Sequence, residues 1–259
     1  VAALFMAGYI PGILWGVGCM IEAFFIARKY GYKSTEKISM KQAFKIAIDA
    51  IPSLLLIIIV IGGIIKGAFT ATEGSVVAVV YSLILSFIYK TIKIKDLGTI
   101  LRESAETTGI IVFLIGVSSI MAWVMAFTGI PSAISSLLLG ISDNPIVILL
   151  IINVLLLFVG TFMDITPAIL IFTPIFLPIC KEFGMSEIQF GIMLVYNLCI
   201  GTITPPVGNI LFVGVRVAKV KLESVVKPLI PFYVVIFAVL LLVTYVSGVS
   251  MFLPNLMGY

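Results

Sequence analysis

Residues 201–208 read GTITPPVG inside a run that is otherwise apolar, with FGIMLVYNLCI before it and NILFVGV after it. No continuous helix passes through Thr204-Pro205-Pro206. Each proline lacks an amide donor and clashes with the preceding turn, and Pro205 pushes Thr204 out of the helical region. Unwound backbone at membrane depth survives only where it is buried in protein or lines a wet cavity. Gly201, Thr202, Thr204 and Pro205 therefore bring hydroxyls and freed carbonyls to one place, and hard cations such as sodium take oxygen ligands of this kind. Asn209 opens the second half of the span and can face the same pocket. A span interrupted by Gly, Thr and Pro points to the ion or substrate site of a secondary transporter. The competing reading is a proline-kinked helix that serves packing alone. Two prolines flanked by two glycines break a helix rather than kink it.

A second polar cluster is GTFMDITP, residues 160–167, between the apolar runs 145–159 and 167–179. An intramembrane carboxylate costs at least ~2.5–3.5 kcal/mol to insert, which makes Asp164 a candidate for function. Thr166-Pro167 has the form of an N-cap followed by proline at the first helical position. That aims the positive end of helix 167–179 at the tip. Gly160 is expected to let the preceding helix end tightly. The competing role for Asp164 is a cap for its own helix, which Ser or Thr would fill at lower cost. The candidates for ion binding are thus Gly160, Asp164, Thr166, Gly201, Thr202, Thr204 and Pro205; those for substrate are Thr161, Asp164 and Asn209.

Other motifs have plainer readings. In GAFTATEG (67–74), Thr70 and Glu73 have capping-box spacing. TPIFLP (173–178) carries two prolines that bend an arm, and RESAETT (102–108) opens a helix at the membrane interface. Cys19, Cys180 and Cys199 are scattered without metal spacing and read as small core residues. The chain has no histidine, which removes imidazole metal sites, His-based proton relays and Ser-His catalysis. One deep carboxylate without His or paired Cys points away from an enzyme.

These groups must be positioned by a membrane fold. Of 259 residues, 61% are hydrophobic and 11% charged, and the mean hydropathy is +1.27. The solvent is a lipid bilayer, and no nucleic-acid partner is expected. The chain opens inside an apolar run, VAALFMAGYI, without an initiator Met, and reads as a piece of a longer polypeptide. Spans are predicted over 8–27, 51–66, 72–89, 107–128, 131–141 (short), 145–159, 167–179, 188–200, 209–218 and 229–246. Of the 16 Lys and Arg, six lie in 28–45, four in 90–102 and four at Arg216, Lys219, Lys221 and Lys227. That is 14 against Lys66 and Lys181 alone, and the positive-inside rule places the 14 in the cytoplasm. The count closes only if 145–179 enters and leaves on the outer side, as a re-entrant helical hairpin with arms of 13–15 residues. The stretch 35–48 is amphipathic, with Lys37, Lys41 and Lys45 on one side, and reads as a helix lying flat at the cytoplasmic interface.

Segments 4–26 and 224–246 resemble one another, with Pro11 and Pro231 at the same offset and opposite orientations by charge. This suggests an inverted-topology repeat. The predicted organisation is 1–27, the end of a first repeat; 28–49, a cytoplasmic amphipathic arm; and 50–103, scaffold spans with a basic linker. Then come 104–220, the transport elements with hairpin 145–179 and broken helix 188–218, and 221–259, the last scaffold span and C-terminus.

The motifs FMAGYIPG, GAFTATEG, GTFMDITPAILIFTPIFLPI with the trailing Gly184, and FGIMLVYNLCIGTITPPVG stand in an order and spacing that resembles a known family. It is the large membrane subunit of the tripartite ATP-independent periplasmic (TRAP) transporters. The family's large subunit begins with a whole first repeat, which is absent from these residues. The resemblance implies an all-α, elevator-type carrier of the bacterial inner membrane with inverted repeats, a re-entrant hairpin and a broken transmembrane helix. It implies small organic carboxylates as substrates, sialic acid or a C4-dicarboxylate, delivered by a periplasmic binding protein. It implies a sodium gradient as driving force, and a small four-helix membrane subunit, separate or fused, as partner. Carried over by position, Gly160, Asp164 and Thr166 with Gly201, Thr202 and Thr204 would hold sodium against the substrate. Two readings compete with this one: a stand-alone sodium/dicarboxylate symporter, and a membrane scaffold subunit that transports nothing.

The charge asymmetry makes a topological prediction. Cysteines placed at Lys37 and Lys93 should label only from the cytoplasm, and one at Ser142 only from outside. Labelling of Lys93 and Ser142 from the same side would end the re-entrant hairpin.

Overall fold

A computed structural model describes residues 1–32, 39–142 and 144–258, without the side chains of Ala126, Ser135, Leu139 and Asn209. The described residues form helices and no strand, as a bilayer requires of a chain that cannot close a barrel. The helices are α1 (Ala2–Tyr30), α2 (Met40–Ile65), α3 (Ala71–Ile88), α4 (Leu97–Thr128), α5 (Ile130–Ile141) and α6 (Pro145–Phe162). They continue with α7 (Ile165–Glu182), α8 (Glu187–Thr202), α9 (Asn209–Ala218), α10 (Leu222–Tyr245) and α11 (Ser247–Leu256). Seven of them are long and apolar enough to cross a membrane. The protein is a multi-pass, all-α membrane protein.

Local chemistry sets the helix ends. Ser39 and Gln42 form a capping box at α2, and Thr70 and Glu73 form the one expected at α3. There the Thr70 amide donates to Glu73 Oε2 at 2.8 Å, and the Glu73 amide donates to Thr70 Oγ1 at 3.2 Å. Asn144 caps α6 by accepting from the Ile146 amide at 2.9 Å, with Pro145 in the first turn.

Residues Val1–Met6 and Ala27–Ile110 form one compact unit. Within it α2 and α3 pack on each other through small residues. Gly74 faces Ile64, Gly63 faces the Phe69 ring, and the Tyr81 hydroxyl donates to the Pro52 carbonyl at 2.7 Å. Residues Ala7–Ile26 and Ile111–Tyr259 form the second unit. Its core is built around α8, which is packed by α6, α7, α10 and α11. Phe190, Met193, Leu194, Leu198 and Ile200 of α8 are buried against Ile148, Ile152 and Leu156 of α6 and Leu240 and Val243 of α10. Trp15 of α1 lies 4.7 Å from the Tyr196 ring, centroid to centroid. Cys180 is buried, Cys19 and Cys199 are half-buried, and all three are free thiols.

A polar seam runs through this apolar core. Asn197 Nδ2 donates to Asn153 Oδ1 at 2.7 Å, and Asn153 Nδ2 donates to Thr244 Oγ1 at 3.0 Å. Gln189 Nε2 donates to the carbonyls of Val243 and Thr244 at 3.1 and 3.0 Å. The side chains are buried, so α6, α8 and α10 are tied by bonds that lipid cannot replace.

Several expected boundaries move. The amphipathic stretch is no separate arm where it is described: residues 40–48 continue into the span as α2, which carries Pro52 without a break. Residues 35–38 of that stretch, Lys37 among them, lie outside the described residues. The helix expected from 107 starts at Leu97, because the polar residues 102–108 sustain a helix with an Arg102–Glu106 ion pair at 2.8 Å. Both hairpin arms have 18 residues rather than 13–15, since the helices continue through the polar residues at the tip. At ~1.5 Å per residue each rises about 27 Å, close to the ~30 Å hydrocarbon core. Re-entrance therefore rests on the charge pattern and not on arm length. Pro11 and Pro231 both sit inside helices, as do Pro174 and Pro178.

The seam can be measured. In a double-mutant cycle Asn153→Ala and Asn197→Ala should couple by about 1 kcal/mol, within the ~0.6–1.7 kcal/mol of interhelical bonds in membranes. Unfolding in detergent reads it, and additive losses would show that the bond contributes nothing.

Candidate functional site

The two sequence clusters meet because two helices touch backbone to backbone. A Cβ built on Gly201 of α8 would lie 2.4 and 2.5 Å from the carbonyl carbon and Cα of Gly160 in α6. A Cβ on Gly160 would lie 3.2 Å from the Cα atoms of Gly201 and Leu198. Gly160 therefore packs and does not end its helix as expected. α6 continues to Phe162 and stops at Met163, which leaves the helix in an extended conformation open to any residue (φ −107°, ψ 149°).

The break is shorter than the motif. α8 runs through Gly201 and Thr202, whose amides point back along the helix and do not depend on the prolines. The amides of Ile203 and Thr204 close the last turn on the Ile200 and Gly201 carbonyls at 3.2 and 2.9 Å. From there donors run out. The Thr202 carbonyl would take its bond from residue 205 or 206, and both are prolines. The Ile203 carbonyl accepts from the Tyr233 hydroxyl of α10 at 2.5 Å. The Gly208 amide, which in a helix would reach Thr204, donates instead to the Thr161 carbonyl at 3.1 Å. That bond fastens the break to the α6 end of the hairpin tip.

Among the described residues no backbone amide outside the helices donates to the carbonyl oxygens of Thr202 and Thr204. Both face Gly208, whose φ of 50° suits glycine. A Cβ there would sit 2.9 Å from the Thr204 oxygen and 3.3 Å from the Thr202 oxygen. The missing side chain leaves a cradle beside these two carbonyls. The hydroxyls of Thr161, Thr202 and Thr204 donate to the carbonyls of Phe158, Cys199 and Ile200, each at 2.7 Å, so their lone pairs stay free to accept. An array of neutral oxygens is chemistry for a hard cation. Among the described residues no cluster of three His, Cys, Asp or Glu competes for that role.

At the tip the capping role shifts. Asp164, not Thr166, takes the N-cap conformation of α7 (φ −71°, ψ 155°), which places Pro167 third in the helix. Proline is tolerated there because the first amides of a helix have no partner inside it. Asp164 makes no side-chain cap bond and is exposed, as is Thr166. The Asp164 carboxylate is therefore not spent on its own helix. Of the residues singled out from sequence, Gly160, Thr161, Gly201, Thr202, Thr204 and Pro205 come together here. Asp164 and Thr166 stand on the exposed side of the tip, and the Asn209 side chain lies outside the described residues. Tyr233, Gly208 and the amides Asn153, Asn197 and Gln189 were not among the candidates read from sequence. The amides carried a signal, since each is a polar residue among apolar neighbours in a membrane helix. Tyr233 carried none, being 30 residues from its partner.

A broken helix buried among helices of a multi-pass protein is the architecture of a membrane carrier component, and the comparisons agree. The chain belongs to the DctM component family of the tripartite ATP-independent periplasmic transporters, whose family model matches residues 1–249. It is 50% identical over 256 residues to YgiK of Salmonella typhimurium, itself named as uncharacterized, covering 99% of this chain and 59% of that protein. It is 37% identical over 261 residues to the sialic acid TRAP transporter large permease protein SiaM of Vibrio cholerae, covering 100% of this chain and 61% of SiaM. It is also 37% identical over 259 residues to the C4-dicarboxylate TRAP transporter large permease protein DctM of Pseudomonas aeruginosa, with 100% and 61% covered. The chain spans about three fifths of the length of these relatives. The two relatives named for a function are both large permease proteins of TRAP transporters.

The glycine contact predicts a ranking. Gly201→Ala should destabilise most, by about 1–3 kcal/mol, because its Cβ meets backbone that cannot move aside. Gly160→Ala should cost less, and Gly214→Ala, with nothing within 4 Å, should be neutral or stabilising. Melting in detergent checks the order, and equal effects at Gly201 and Gly214 would contradict the close approach.

Proposed function

We propose that the chain is part of a sodium-coupled carrier of a small organic carboxylate. The observation that carries this reading is the pair of carbonyls at Thr202 and Thr204, without an amide donor among the described residues, converging on Gly208. Sodium would be held by these oxygens with the nearby Thr hydroxyls, and Gly160, Gly201 and Pro205 would shape the pocket. Asp164 and Thr166 would complete it from the tip. An ion placed there would link the end of α8 to the start of α9. Its charge would add to the positive end of α7 and draw a carboxylate toward Thr161, Asp164 and Asn209.

Substrate and partners follow from the relatives. SiaM and DctM carry sialic acid and C4-dicarboxylate in their names, and the chain is equally similar to both. The shared chemistry is a carboxylate, and competition between the two substrate classes in uptake will separate them. A periplasmic binding protein would deliver the substrate, and a small four-helix membrane subunit would complete the carrier. An elevator cycle would then carry the site across the membrane.

The test is a thermal-shift titration of the complete transporter in sodium against potassium. Stabilisation should grow as RT ln(1 + [L]/Kd), about 1.4 kcal/mol at ten times Kd. Potassium should do this poorly. Asp164→Ala and Thr204→Ala should each weaken the sodium response and transport while leaving expression intact, with Asp164→Ala the more severe. Equal shifts in the two salts, or variants indistinguishable from the parent, would sink the sodium site. Full-rate transport without a binding protein would remove that partner.

A further inference from the structure

We propose that Tyr233 is a positioning residue of the ion site, acting through the Ile203 carbonyl without touching the ion. The inference rests on the sodium reading above and assigns a residue of α10 to it. Pro205 and Pro206 strip both helical donors from the Thr202 carbonyl, and the Gly208 amide goes to Thr161 instead of Thr204, so the unwound segment could settle in several ways. Three consecutive carbonyls are at stake. The Tyr233 hydroxyl takes the middle one, at Ile203, at 2.5 Å. The flanking two, at Thr202 and Thr204, are the pair that faces Gly208.

Holding the middle carbonyl on α10 keeps the outer two turned toward one spot. The Tyr233 ring is half-buried and lies 6.2 Å from the Phe237 ring, one helical turn on. Its oxygen is thus carried by a packed side chain. Tyr233→Phe would leave the Ile203 carbonyl without a donor. That carbonyl would turn to seek water or the ion, and its neighbours would lose their common aim.

The experiment uses the complete transporter in liposomes, with uptake measured against sodium and against substrate. Losing one hydrogen bond predicts a rise of about three- to tenfold in the sodium concentration for half-maximal uptake in Tyr233→Phe. Maximal rate and substrate half-saturation, measured at saturating sodium, should stay within about twofold of the parent. Tyr245→Phe is the control, because Tyr245 also lies on α10 and donates its hydroxyl to a carbonyl, Ile146, at 2.7 Å. It should leave sodium dependence unchanged. A parental sodium curve for Tyr233→Phe, with Thr204→Ala still impaired, would overturn the role of Tyr233 and leave the sodium site standing. Equal shifts in both Phe variants would reduce the effect to general loosening of α10 and overturn it too. A parent that ignores sodium would bring down the site and this inference together.

Discussion

Two helices can bring their backbones into contact only where neither carries a side chain at the crossing. Gly160 and Gly201 meet that condition, and a single methyl on Gly201 would overlap the Gly160 peptide. Much of the second unit follows from this contact. It lets Thr161 reach Gly208, it sets the hairpin tip beside the break, and it aligns Asn153 of α6 with Asn197 of α8. In a bilayer the hydrophobic effect does not drive helices together, so close packing and buried hydrogen bonds must hold them. The small residues and the amide seam supply both, along one face of α8 that repeats every four residues at Gln189, Met193, Asn197 and Gly201.

The double proline has a more specific effect than breaking a helix. It withholds both donors from the Thr202 carbonyl, while the amides of Ile203 and Thr204 still close the preceding turn. The segment therefore keeps order on its donor side and offers oxygens on the other. Each oxygen has its own fate: Ile203 is held by Tyr233, and Thr202 and Thr204 open toward the empty position at Gly208. Freed carbonyls are stable in a membrane only because the surrounding helices keep lipid away from them. The burial of α8 fits that need, for it is the most enclosed helix of the core, while Trp123 and Phe127 of α4 are 66% and 80% exposed on the apolar outside.

The sequence by itself determined a membrane protein of helices, the place of the break, the polar tip and the capping box at Thr70 and Glu73. These are local facts: apolar length, missing amides and side-chain oxygens at fixed offsets decide them wherever the chain lies. It also pointed to the family, through four motifs in order. Local rules misplaced what depends on how far a helix continues. They ended α6 at Gly160, capped α7 with Thr166 and cut the amphipathic stretch from α2. In each case the backbone went on, because a glycine, a threonine or a lysine face permits a helix to continue as readily as it permits an end. Only the tertiary structure decided that Gly160 is a contact, that the Gly208 amide goes to Thr161, and that Tyr233 holds the Ile203 carbonyl. These pairings join positions some 30 to 50 residues apart, and no periodicity or spacing within one helix encodes them. They arise when packing brings a freed carbonyl or a bare glycine within reach of a partner on another helix.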